Sequence, residues 1–402
     1  MKKLFIFLIP VILFVFSIIS GFVIHQSTWF VQDKHFVKLA QSFLRGDLYL
    51  SPLNLPAGDF ADYRGRQYLF FGPTPSVILM PFVAIFGENF PQMFLSFASI
   101  IITFVTIFLL CKKLSFKNLD AFWLAIFFEF GTVLYFVSLV NISAYLVQAT
   151  AMVFVVLSLL EYFTRRRWFI IGILVALAGT TRVTLFGLSV FFLLELLKTL
   201  KTPQFKKQFL LFAIPILIAV AFLGSYNYRR FSSFIDTGYT RNVTVVNKEG
   251  GNQDAGFFSL VHMPGNIYSE FLMAPDPVKD PRFEFLLRFP YLKVNGLGLA
   301  IWFTSPLFLY LIRAKRKLYS YNAIIGVLIL AIPSLIYFGI GGTQFGYRYS
   351  LDFLPLLFLI LLSAFEKGLP KVAKFLIAGG VVFNCCYMLS IWNSYPLFFW
   401  MK

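Results

Sequence analysis

Apolar and polar positions divide this chain into long hydrophobic runs separated by short basic turns. The first run, about 4–24, follows Met1-Lys2-Lys3 and is about twenty residues long, enough to cross a bilayer as one helix. No small-x-small cleavage pattern follows it before His25, so it reads as a retained span rather than a signal peptide. Further runs lie at about 91–111, 120–139 and 143–163. The stretch 168–197 is too long for one helix and carries Arg182 in its middle, so the pattern splits it at Gly179-Thr180-Thr181-Arg182. Runs at about 208–225, 296–312, 321–340, 351–365 and 373–392 complete the set. The predicted fold is an all-α polytopic membrane protein with about eleven transmembrane helices, one domain over 1–402.

Charge orients these spans. Lys2 and Lys3, Lys112 and Lys113, Arg165 to Arg167, Lys198 to Lys207, Arg313 to Lys317 and Lys367 to Lys374 all fall on alternate, predicted inner turns. That asymmetry predicts a cytoplasmic N-terminus. Two long segments then face outward, a first outer loop over 25–74 and a second over 226–295, and they hold most of the acids. Composition agrees: 59% of residues are hydrophobic and 13% charged, where a soluble domain carries roughly 25% charge. The net charge of +17 is spread over short loops and not gathered on a soluble module with interleaved aromatics, so it marks orientation and no nucleic-acid partner. Cys111, Cys385 and Cys386 have no CxxC spacing, and three dispersed histidines make no zinc site.

The first outer loop is the richest in candidate chemistry. Phe36, Leu39, Ala40, Phe43 and Leu44 recur at helical spacing opposite Lys34, Lys38, Gln41 and Arg45, which predicts an amphipathic juxtamembrane helix on the membrane surface, ended by Gly46. Asp33 stands at its start, about nine residues past the first span, either as a helix cap or as a reactive carboxylate at the membrane surface. Asp59 and Asp62 follow in a Pro- and Gly-containing loop beside Arg64 and Arg66, a setting for turns and ion pairs or for contact with a substrate. Pro73, Pro75 and Pro81 within 68–86 predict a broken element that lines a protein cavity. Arg182 and Arg348 sit at outer ends of spans, placed either to snorkel or to bind an oxyanion; Asp352 is four residues past Arg348 and pairs with it if that stretch is helical. The second outer segment opens with Tyr226-Asn227-Tyr228-Arg229-Arg230-Phe231 and is long enough for a lid or an acceptor-binding element. His262, Glu270 and Asp276 within it lack metal-ligand spacing, and no GxxxxGK, HExxH or GxSxG signature occurs.

In its order of parts the chain resembles the GT-C superfamily of polytopic glycosyltransferases, in the branch of protein O-mannosyltransferases and the lipid A aminoarabinose transferase. The motifs are Asp33 before the amphipathic helix and Gly46-Asp47-Leu48-Tyr49-Leu50, then Asp59 to Tyr68 running into Phe71-Gly72-Pro73-Thr74-Pro75. Thr181-Arg182, Tyr226-Asn227-Tyr228-Arg229 and Phe345-Gly346-Tyr347-Arg348 through Asp352 to Pro355 follow. Many relatives carry a pair of acids in the first loop, whereas Asp33 is followed by Lys34. The resemblance implies inverting transfer of a sugar from a polyprenyl-phosphate donor to an acceptor hydroxyl or amine on a lipid, glycan or protein. The reaction would lie on the outer face of a bacterial inner or plasma membrane; the residues themselves offer no metal site and call for no cofactor. A phosphate leaving group needs charge stabilisation rather than a general acid, so one carboxylate suffices as base. On this reading Asp33 is the base, Arg348, Arg182 and Arg229 hold donor phosphate, and Asp59, Asp62, Tyr347 and His35 contact substrate. The rival is a lipid or solute transporter or flippase that uses the same arginines for a headgroup phosphate. Such a protein places charges near the bilayer midplane, and here only Glu129 lies well inside a span.

Overall fold

The computed structural model describes residues 2–26, 34–50, 59–140, 142–241, 255–293, 295–315, 317–341, 344–365 and 368–394. Its helices are α1 (Lys2–Gln26), α2 (His35–Leu44), α3 (Thr74–Phe86), α4 (Met93–Lys113), α5 (Asn118–Phe130), α6 (Leu134–Leu139) and α7 (Ser143–Thr164). They continue with α8 (Trp168–Thr181), α9 (Leu188–Leu197), α10 (Phe205–Phe231), α11 (Met263–Phe271), α12 (Leu318–Leu335), α13 (Leu354–Leu362) and α14 (Lys371–Ser394). Two antiparallel hairpins depart from the all-α expectation: β1 (Phe60–Tyr63) with β2 (Arg66–Leu69), and β3 (Asp276–Asp280) with β4 (Phe283–Lys293). The first turns on Arg64 and Gly65, whose φ angles of 51° and 72° suit the tight turns that join twisted strands.

The protein is membrane-embedded. Among the described residues, α4, α7, α10 and the Lys371–Met388 part of α14 are long and apolar enough to cross a bilayer. Other predicted spans resolve into shorter pieces. The run 120–139 breaks at Gly131 into α5 and α6, and 168–197 breaks at Arg182, as its charge predicts. The run 296–312 is a single turn, Ile301–Thr304, followed by the 3₁₀ stretch Pro306–Arg313. Pro306 brings no amide hydrogen to continue the turn. Conversely α10 continues through Phe231, so the Tyr226 to Phe231 motif closes a spanning helix instead of opening an outer loop.

The residues fall into two compact units: Val31–Thr106 with Val140–Phe257, and Met1–Phe30 with Ile107–Leu139 and Phe258–Lys402. The first of these is built on α2, α3, the β1–β2 hairpin, α7, α8 and α10. Its core holds Phe36, Leu39, Leu50, Phe60, Leu69 and Leu79. Of the apolar face of α2, Phe36, Leu39 and Ala40 are buried in protein, while Leu44 at its end is exposed. Helix α3 is also regular, contrary to the broken element predicted. Pro73 caps it and Pro75 occupies its first turn, where no intrahelical amide bond is lost, so only Pro81 is interior.

The second unit is held by α1, α5, α12, α13 and α14. Asn384, fully buried on α14, donates through Nδ2 to Phe130 O at the end of α5 and to Thr304 O at the end of the Ile301–Thr304 turn, each at 3.1 Å. Tyr135 donates to Ser17 O on α1 at 2.7 Å. Near the other end of α5, Asp120 takes Lys374 Nζ at 2.7 Å and the Leu369 amide at 3.2 Å.

Replacing Asn384 by Leu keeps the branched shape of the side chain and strips both carbonyls of their donor. The expected result is a loss of about 1–3 kcal/mol, read as a lower melting temperature of the detergent-solubilised protein; an unchanged melt would remove Asn384 from this role.

Candidate functional site

The α2 unit gathers five of the predicted site residues, His35, Asp59, Asp62, Arg182 and Arg229, while Tyr347 and Arg348 belong to the other unit. Asp33 lies outside the described residues. Helix α2 starts at His35 with Lys34 as its N-cap, and the Lys34 side chain makes no capping bond. The amide of Phe36 is taken by Gln92 Oε1 at 3.0 Å, and the Phe36 carbonyl accepts from Ser76 Oγ at 3.0 Å. Gln92 thus satisfies one of the free amides in the first turn of α2.

His35 contacts the same framework. Its Nδ1 lies 3.2 Å from Ser143 Oγ, and its ring meets Phe60 edge-on at 6.0 Å. Strand β1 thereby brings Asp59, half-buried, near the start of α2, while Asp62, exposed and opposite Gln67, points away from this core. Arg64 lies over Tyr63 at 5.0 Å and Arg66 over Tyr49 at 4.6 Å.

Two separated motifs meet at the end of α8. Thr74 Oγ1 donates to Thr180 Oγ1 at 2.7 Å. The backbone of Gly72 approaches so closely that a Cβ there would stand 2.0 Å from Thr180 O and 2.6 Å from Thr181 O. Arg182 follows at once in extended conformation, half-buried. The Phe71 to Pro75 motif and the Thr181-Arg182 motif are thus one local structure, and Gly72 is what permits it.

The consecutive arginines of α10 have opposite fates. Arg230 is buried, donates to Leu69 O and Asn227 Oδ1 at 2.7 Å each, and stacks on Tyr226 at 3.9 Å. It is structural. Arg229 is exposed and lines a cleft of about 470 Å³ with Phe43, Leu48, Val77, Met80 and Phe222, and with Asp47 as the acid. An apolar trough with one guanidinium and one carboxylate on its wall suits an amphiphile with an anionic head.

In the other unit Arg348 is buried in a 3₁₀ turn, Arg348–Asp352, rather than an α-helix. Its guanidinium reaches Gly341 O at 3.3 Å and lies over Tyr349 at 4.6 Å. Tyr347 donates to Ser334 O at 3.2 Å. Burial, then the neighbouring Glu270 carboxylate, pushes its phenol up. Glu270 on α11 carries no metal-ligand spacing in the sequence, and the structure gives it a more pointed position. It is 0% exposed, with neither carboxylate oxygen hydrogen-bonded among the described residues. Burial pushes its acid up to about 8.

No protein-family model matches the sequence, and no curated protein matches it by sequence. As a fold the chain is similar to ArnT from Cupriavidus metallidurans in the apo state, with a TM-score of 0.56 at 11% identity, over 92% of this chain and 62% of ArnT. Against ArnT bound to undecaprenyl phosphate the TM-score is 0.55 at 12% identity, over 90% of this chain and 60% of that one. A lower score, 0.41 at 15% identity, relates it to the archaeal oligosaccharyltransferase AglB from Archaeoglobus fulgidus, solved with an inhibitory peptide and a dolichol-phosphate. The chain spans less than two thirds of the length of these proteins. The fold of this chain is therefore similar to that of ArnT, a likeness of architecture at low sequence identity.

Two predictions follow from this geometry. Gly72→Ala forces the 72–74 turn away from α8 and is expected to lower stability by about 1–3 kcal/mol, checked by thermal melting; a variant as stable as wild type would show that the approach can relax freely. Glu270 has a folded-state acidity weaker than the ordinary 4.5, so its neutral form is the one the fold favours. Its contribution is fully present below 4.5 and is lost as pH rises through about 8. Melting of the wild type is therefore expected to fall more between pH 5 and pH 9 than that of Glu270→Gln, and parallel curves would contradict it.

Proposed function

We propose that this protein transfers a sugar from a polyprenyl-phosphate-linked donor to a hydroxyl or amine of an acceptor, with inversion, on the outer face of a bacterial inner or plasma membrane. The observation that carries this reading is the apolar cleft with Arg229 on its wall, set in a fold shared with an aminoarabinose transferase that has been solved with undecaprenyl phosphate. The cleft has room for the proximal isoprene units, and Arg229 stands ready for the phosphate. Arg182 and Arg348 are the further phosphate ligands in this proposal.

Asp33 acts as base. Its carboxylate takes the proton of the acceptor group as the acceptor atom bonds to the anomeric carbon. The bond from that carbon to the phosphate oxygen breaks, and its electron pair leaves with the polyprenyl phosphate. Attack from the face opposite the phosphate inverts the anomeric centre. No proton is needed by the leaving group, because guanidinium groups stabilise its charge. Gln92 supports this role for Asp33, since it already occupies the α2 amide at Phe36. His35, Asp59, Asp62 and Tyr347 are the proposed substrate contacts.

The test is sugar transfer in proteoliposomes from a panel of labelled polyprenyl-phosphate sugars. Asp33→Asn is expected to lower the rate by about 10²–10⁴-fold while donor binding persists; near-normal transfer would overturn the assignment. Movement of donor across the bilayer with no covalent change, alike in both proteins, would point to the transporter instead. Arg229→Gln is expected to raise the donor KM on the order of 10- to 100-fold, and an unchanged KM would remove the cleft from donor binding.

A further inference from the structure

The segment 258–293, which the sequence pattern assigns to a polar outer loop, has its burial inverted. Along the 3₁₀ turn Leu260–His262 and helix α11, the polar residues His262, Asn266, Ser269 and Glu270 are buried. The apolar residues face out: Leu260, Val261, Tyr268 and Leu272 are 74%, 66%, 52% and 65% exposed. The β3–β4 hairpin repeats the pattern, with Phe283, Phe285 and Phe289 at 60%, 94% and 83%. Successive side chains of a strand point to opposite faces, yet Phe285, Leu286 and Leu287 are all exposed. Both faces of this ribbon are therefore uncovered by the chain. A two-stranded ribbon is marginal in water on its own, and apolar surface of this extent marks an interaction site.

The segment is fastened at a definite depth. Ser259 N–H donates to Ile336 O at 2.8 Å, and Asn266 Nδ2 donates to Leu335 O at 2.9 Å and Tyr337 O at 2.7 Å, all at the C-terminal end of α12. The hairpin is held by Tyr387 Oη, which donates to Leu292 O at 2.9 Å. Tyr387 stands in the last turn of the bilayer-length stretch Lys371–Met388. Both halves thus attach where apolar helices run out, which is the level of the lipid headgroups. Lys279, Arg282, Arg288 and Lys293 are exposed among the aromatic residues. Of the acids in this hairpin, Asp280 pairs with Arg282 at 3.2 Å and Asp276 accepts from Asn295 at 3.2 Å.

We propose that 258–293 is an inside-out interfacial anchor, whose partner is the bilayer itself: α11 and the β3–β4 hairpin sink their apolar side chains into the boundary between headgroups and acyl chains. Lipid is the occupant that fits. The exposed residues surround a thin ribbon on both sides, which a fluid envelops without a complementary shape, and aromatic residues flanked by lysine and arginine are the composition of membrane interfaces. The inference is independent of the reaction proposed above.

The test uses the full chain in lipid nanodiscs, with nitroxide labels at Phe285→Cys and Phe289→Cys. The background is Cys386→Ser, because Cys386 is the exposed native thiol while Cys111 and Cys385 are buried. Both labelled positions are themselves exposed, so the fold does not depend on them. Membrane-dissolved oxygen is expected to relax both labels more than a water-soluble nickel chelate does, with the order reversed at Lys279→Cys. Greater access of the chelate to positions 285 and 289 would place the hairpin in water and overturn the proposal. So would poor access of both reagents accompanied by spin–spin broadening, the sign of a second copy covering it.

Discussion

Inside a bilayer there is no water to take up an unpaired amide or carbonyl, so a chain that breaks its helices there must supply the missing partners itself. This protein breaks several. The carbonyls left at the ends of α5 and of the Ile301–Thr304 turn are both collected by one side chain, Asn384. Thr132, in the gap between α5 and α6, gives its hydroxyl to Phe128 O at 2.8 Å and accepts the Leu134 amide at 3.2 Å. Ser363 accepts the Lys315 amide at 2.9 Å. In the other unit Thr180 and Thr181 fold their hydroxyls back on α8 at its last turn. Small polar residues inside apolar runs are the means by which irregular backbone persists here.

The interruptions are also where the candidate chemistry stands. Arg182 follows the end of α8, Arg348 lies in a 3₁₀ turn, and the Gly72 approach joins a loop to a helix terminus. A continuous helix would bury such side chains against neighbours or pass them to lipid. At a break the backbone leaves room for them, and the local framework is stiff enough to hold them. Arg229 is the counter-example, on an unbroken helix but in its last turn, where an exposed guanidinium also favours the C-terminal end of the helix dipole.

Much of this was legible in the residues. The break at Arg182 follows from one charge in a long apolar run, and the span at α14 from length alone. The amphipathic pattern of α2 was visible too, but an apolar stripe does not say whether protein or lipid covers it; here Leu79 and Phe60 do. Apolar runs also do not separate helix from buried irregular backbone, which is why 296–312 read as a span. The Arg64-Gly65 turn between alternating residues was a hairpin signal overridden by the helical context. The two arginines 229 and 230 differ only in which side of α10 they face, and their separate roles needed the packing of Leu69 and Tyr226 to emerge. The apolar content of 283–293 was equally plain in the letters, yet the surrounding charges made the segment read as solvated.

The division of the chain into interleaved units bears on how it is made. The α2 unit is complete in sequence by Phe257, whereas the other needs Met1–Phe30, Ile107–Leu139 and residues beyond Phe258. Helix α1 leaves the ribosome long before α14: Cys385, which lies 3.7 Å from its Ser17, and the Asn384 that serves α5 are synthesised more than three hundred and fifty residues after it. During translation α1 and α5 therefore wait in the bilayer with Ser17, Ser20 and the end of α5 lacking their late partner. One unit can mature while the other remains an open assembly held together by lipid and by whatever insertion machinery shields it, and the arrival of α14 is the event that closes it.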